Sequence, residues 1–209
     1  MTHTVEQSWE RILSWFEEHC PTERLAFRGP ATEEDLHAVQ QATGRPLPAD
    51  QLTWWRLSDG ADEPGPALIP TIWRPVPVAE AMKRRQARLK DLDRYFPNMA
   101  VLDEASAGTA AEIPWLPSWL PIAAHPGGGH LFLDLREGPM HGCIGEMDKE
   151  DVGFWKPVWP SVTAMLAEIA DALVNGTAAK GHYRARVEDD SRLYWCYDRE
   201  AHAYPGQRP

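Results

Sequence analysis

Three short apolar runs follow one another between residues 119 and 148, each closed by a turn signal, and together they predict the sheet of the fold. Residues 120–124 form the first run, which ends at Pro126, Gly127, Gly128 and Gly129. Residues 131–135 alternate, with Leu131, Leu133 and Leu135 on one face and Phe132 and Asp134 on the other. Glu137, Gly138 and Pro139 break the chain before residues 143–147 resume. Connections this short join antiparallel strands.

Helical patterns surround this segment. Residues 5–20 place Val5, Trp9, Ile12, Leu13, Phe16 and Cys20 in one stripe, and Pro21 stops the helix. Each large side chain of such a stripe gains roughly 1.5–3 kcal/mol on burial, so the stripe reads as core. Thr32, with Asp35 three residues on, starts a second helix that Gly44 ends. A third opens at Pro48 and closes at Asp59-Gly60. Residues 78–96 read as the longest helix and the basic one, carrying Lys83, Arg84, Arg85, Arg88, Lys90 and Arg94 as a solvated face or an acidic partner's contact. Val162, Met165, Leu166, Ile169 and Leu173 form a last stripe, ended by Asn175-Gly176. Residues 25–27 read as briefly extended, 67–73 as a strand interrupted by Pro70, and 97–117 as a long loop. In the tail, Tyr183, Ala185 and Val187 alternate, as do Leu193, Trp195 and Tyr197, which is a hairpin pattern. The expected class is α+β, a single domain with a mostly antiparallel twisted sheet, helices around it, and a C-terminal helix followed by a β-hairpin.

Twenty-one basic against thirty-one acidic residues give a formal charge of −10, which repels nucleic acid and anionic membranes and attracts a basic protein. No basic start precedes an apolar run, and no run of about 18 apolar residues occurs, so a cytoplasmic location is expected. Cys20, Cys143 and Cys196, odd in number and far apart, read as reduced thiols. Ten tryptophans exceed what periodicity assigns to one core, so some are expected at a surface as interface anchors.

The chemistry-bearing clusters are each outweighed by a plainer reading. His125, His130, His141 and Cys143, with Asp134, supply zinc-ligand types, but not at the spacing of a compact zinc motif. No Gly-Lys-Ser/Thr follows the glycines at 127–129, and a strand rather than a helix comes next, so a phosphate cradle is not expected. Cys143 and His141 share a strand face, yet nothing supplies an oxyanion hole. No cofactor and no catalytic residue are expected.

The order of motifs resembles the SUKH superfamily, which includes the fungal Smi/Knr cell-wall synthesis regulators and many bacterial immunity proteins against secreted toxins. The resemblance rests on Thr32-Glu33-Glu34, Gly44-Arg45-Pro46-Leu47-Pro48, Leu57-Ser58-Asp59-Gly60 and Leu120-Pro121-Ile122-Ala123. Further along it rests on Gly129, Leu133-Asp134-Leu135, Gly142-Cys143-Ile144-Gly145 and the helix over residues 162–173. Gln40, Asp59 and His130 depart from the family pattern. Residues 1–176 would form the SUKH-like domain and 177–209 a C-terminal extension packed on it. The resemblance implies protein binding without catalysis, most directly an immunity protein that binds a cognate toxin, possible nuclease toxins being the basic ones that the acidic charge suits. The alternatives are a scaffold or regulator of an endogenous partner and, last, a metal-dependent enzyme. The residues expected to meet the partner are acids and tryptophans at the rim of the sheet: Trp55, Asp59, Asp62, Glu63, Trp73, Glu146, Asp148, Glu150, Asp151 and Trp155.

Overall fold

A computed structural model describes residues 3–90, 92–96, 98–148, 153–154 and 156–198. Helix α1 spans Val5–His19, and its start is a full capping box between Thr4 and Gln7. After the single turn α2 (Pro21–Arg24), helix α3 (Glu33–Thr43) begins where the Thr32 hydroxyl accepts from the Asp35 N–H. It ends at Gly44, left-handed at φ 64°. Helix α4 covers Ala49–Leu57. Strand β1 is only Arg74–Pro75, and residues 67–73 give no more than a bridge between Ile69 and Trp73. The correction has a simple cause: Pro70 lacks the N–H a ladder needs, and the segment turns back on itself. Residues 25–27 are likewise extended only at Phe27, which bridges Ala61.

The expected long helix is broken into α5 (Val78–Leu89) and α6 (Leu92–Tyr95). Nor is its charge simply solvated. Arg85, 9% exposed, donates twice to the Pro117 carbonyl, and Arg88 donates to the Gly128 carbonyl and to His130. These arginines hold the helix against the sheet.

Strands β2 (Trp119–Ala124), β3 (His130–Asp134) and β4 (Cys143–Met147) follow, and with β1 they form an antiparallel sheet in the order β1-β2-β3-β4. Helix α8 (Val162–Asn175) carries Met165, Leu166 and Ile169 into the main core, together with Ile12 and Phe16 of α1 and Leu131, Leu133 and Ile144 of the sheet. The Asp50 carboxylate of α4 accepts from the Thr163 N–H, tying α4 to the start of α8. Strands β5 (Tyr183–Val187) and β6 (Leu193–Tyr197) make the tail hairpin, with Leu193 in the main core and the Trp195 indole donating to the Ala67 carbonyl.

The second face of the sheet is also covered. Segment 97–117, expected to be a loop, contains helix α7 (Met99–Asp103) and contributes Ala111, Ile113, Trp115 and Leu116 to a separate core with Trp119, Phe132, Met147 and Phe154. Phe132 and Asp134 of β3 would otherwise face water, so apolar side chains from an irregular backbone cover them, with Leu89 of α5, Leu92 of α6 and Met99 and Leu102 of α7 packed alongside. Asp134 and Arg136 form a wholly buried ion pair beneath this segment. Two cores also take up the buried tryptophans. Trp54, Trp55, Trp73, Trp115, Trp119 and Trp159 are all 3% exposed or less.

Candidate partner-binding surface

Residues 59–63 leave α4 and run along the sheet edge. Gly60 takes φ 70°, and an added Cβ would lie 2.5 Å from the Val76 carbonyl carbon, so this close approach needs glycine. The approach sets Asp59 at the head of α5, where its Oδ1 accepts from the Val78 N–H at 2.7 Å. Burial raises the Asp59 carboxyl above its ordinary value, against the opposing pull of that N–H and of Arg28. Arg28 lies 3.4 Å from Asp59 and 3.3 Å from Asp62. Asp59 is therefore chiefly a helix cap, while Asp62 keeps 63% of its side chain exposed.

Glu63 is 73% exposed and 3.4 Å from Arg74, whose buried guanidinium also pairs with Glu80 at 2.8 Å. Glu80 in turn pairs with Arg84 at 2.6 Å. Glu63, Arg74 and Arg84 line a cleft of about 290 Å³ that Pro64, Ile72, His125 and Pro126 complete. Ile72 is 43% exposed, an apolar side chain open beside exposed acids.

Trp55 and Trp73, expected beside these acids, take no part in the surface. Trp55 is 2% and Trp73 3% exposed, both in the main core. Trp73 instead supports the β2–β3 turn from below, its ring 5.0 Å from that of His125. Asp148 is exposed and adjoins the same turn, since a Cβ at Gly129 would lie 3.4 Å from its Cα. Glu146 looks elsewhere: it pairs with Lys180, whose ammonium sits 5.7 Å from the Trp159 ring centre. Glu150, Asp151 and Trp155 lie outside the described residues. The structure thus gathers Asp62, Glu63 and Asp148 around one end of the sheet. It adds Ile72 and His125, whose place beside these acids carries no sequence signal because it depends on how the 61–73 segment folds back.

The residues that invited a metal reading do not converge. His130 Nδ1 accepts from Arg88 at 3.1 Å, His125 Nδ1 accepts from the Gly127 N–H at 2.8 Å, and His141 Nδ1 donates to the Arg136 carbonyl at 3.1 Å. Asp134 is committed to Arg136, and among the described residues no group of three His, Cys, Asp or Glu could hold a metal ion. Burial pushes the Cys143 thiol up to about 12 and the Cys20 thiol up to about 11. Both are wholly buried, whereas Cys196 on the tail hairpin is half-buried. One equivalent of thiol is therefore expected to react with a disulfide reagent at pH 8 in the native protein, and Cys196→Ser abolishes it. Rapid reaction of two or three thiols in the folded state would contradict the burial of Cys20 and Cys143.

No helix among the described residues is long and apolar enough to cross a membrane. The family model described as SMI1 / KNR4 family (SUKH-1) matches residues 30–168, from the approach to α3 into α8. No curated protein matches the chain.

Proposed function

The chain belongs to the SMI1/KNR4 (SUKH-1) family, and on that footing we propose that it is a non-catalytic immunity protein, which neutralises a basic toxin domain by binding it directly. The observation that carries this reading is the end of the sheet, where Asp62 and Glu63 stand 63% and 73% exposed beside the open Ile72. In a chain of formal charge −10, such a rim pre-orients a basic partner by long-range attraction. A desolvated apolar contact at its centre then slows dissociation. A partner whose basic surface receives phosphate, as in a nuclease, would be both attracted and covered.

The test is coexpression with a basic toxin domain encoded beside the gene, which the reading requires to exist. Cells are expected to survive, the two proteins to co-purify in fixed proportion, and the toxin to be recovered chemically intact. Asp62→Lys with Glu63→Lys is expected to slow association about tenfold and flatten its dependence on salt. Failure to protect and to co-purify overturns the reading. Tight binding that ignores salt removes its electrostatic part.

A further inference from the structure

A larger concavity lies on the helices, away from these acids. Between α1 and the end of α8 runs a groove of about 530 Å³. Its floor is Trp15, partly buried against the main core and stacked on His19 at 4.7 Å, with Leu173 beside it. Val174, 49% exposed, forms an apolar lip. Its rim is acidic, with Glu10 and Glu18 both exposed. The one arginine in the lining, Arg11, is already matched by Asp171 at 2.8 Å. Among the described residues no cation pairs with Glu10 or Glu18.

We propose that this groove docks a cationic amphipathic helix of a partner protein, which rests on the reading of the chain as a protein binder. Three observations fix that chemistry. The floor and lip offer an apolar strip of the kind that an amphipathic helix covers. Glu10 and Glu18 stand eight residues apart on one helix, about 12 Å along its axis, so lysines or arginines two turns apart on the incoming helix reach both. The last turns of α1 and α8 both line the groove, and helix C-termini carry partial negative charge that favours a cation. The lining residues, 10–19 and 173–174, fall outside the matched span 30–168, so the groove is built from parts of the chain that the family model does not describe.

The probe is a synthetic helix with a leucine stripe flanked by lysines two turns apart, titrated into the whole labelled protein and followed by amide NMR shifts and fluorescence anisotropy. Shifts are expected to concentrate at residues 10–19 and 171–174. Val174→Asp should weaken binding about tenfold, and Glu10→Lys with Glu18→Lys by a similar factor. Asp62→Lys with Glu63→Lys, the same change in net charge made away from the groove, should weaken it far less, and a leucine/glutamate peptide should not bind. Val174 is half exposed and both glutamates are exposed, so these variants keep the fold, which circular dichroism verifies. No binding, equal binding by the groove variants, or shifts gathered at the β2–β3 turn would each overturn the proposal. The titration contains no toxin, so its failure leaves the proposed function standing. Loss of protection with an intact titration would do the reverse.

Discussion

Arg136→Met is expected to lower the unfolding free energy by about 3–5 kcal/mol, the range for removing one partner of a buried ion pair. Both Arg136 and Asp134 are wholly buried. The guanidinium reaches Asp134 through Nε at 2.9 Å and Nη2 at 2.7 Å, and it donates further to the Leu102 carbonyl at 3.2 Å and the Thr109 carbonyl at 2.7 Å. Its face lies 5.9 Å from the Trp119 ring centre. Asp134 accepts in addition from the Gly108 N–H at 2.9 Å. Removing the arginine therefore strands a carboxylate without water and orphans two backbone carbonyls of the segment that covers the second core. Arg136→Lys should fare little better, because an ammonium cannot make the planar fork. Asp134→Asn with Arg136→Met should cost less than the two single changes together, since neither charge then remains buried alone. It should still fall short of the natural protein, because the Leu102 and Thr109 carbonyls lose their donor. Urea denaturation gives the free energies, and limited proteolysis should show residues 97–117 cut first in the single variants. A loss below about 1 kcal/mol for Arg136→Met would mean that the pair is not what fastens the segment.

That segment also marks the limit of what can be read from the residues. The helices were legible because their stripes and caps are local: Thr32 and Gly44 bracket α3, and Gly176, at φ 66°, closes α8. The sheet and the tail hairpin were legible from alternation and turns. Ile113, Trp115 and Leu116 were not, because they sit on irregular backbone and have no period to betray them; only Phe132, on the second face of β3, calls for them. The surplus of tryptophan followed only in part from assuming one core: Trp115 and Trp119 belong to the second, while Trp54, Trp55, Trp73 and Trp159 all fit in the first. The internal duty of Arg85 and Arg88 was equally hidden, since their partners are backbone carbonyls of Pro117 and Gly128, and any residue supplies one. At the candidate surface, Asp62, Glu63 and Asp148 could be picked out as acids on predicted loops. That Asp59 is held under the start of α5 could not, because the contact joins residues 19 apart through the turn at Gly60.

The second large effect concerns pH. His130 is 4% exposed and lies under Trp115, ring centres 5.6 Å apart. Arg88 can only donate, so it fixes Nδ1 as the acceptor and places the proton of the neutral ring on Nε2. Burial first, then repulsion by Arg88 and Arg84, lowers the pKa of His130 from its ordinary 6.5 to about 3, with Glu80 opposing weakly. The folded protein thus holds this ring neutral, while the unfolded chain protonates it below pH 6.5. The stabilisation is complete above 6.5 and is lost as pH falls from there toward 3, at about 1.4 kcal/mol per unit. Between pH 6.5 and 5, where carboxylates still ionise, the loss should reach about 2 kcal/mol. His130→Gln retains an acceptor for Arg88 and has nothing to titrate. Its unfolding free energy, lower at pH 7.5 because the ring contact with Trp115 is gone, should fall by about 2 kcal/mol less over the same interval. The difference between the two proteins isolates this one ring from the other histidines. Parallel curves for the natural and variant proteins would show that His130 is protonated equally easily in both states, and that Arg88 turns away from it in solution.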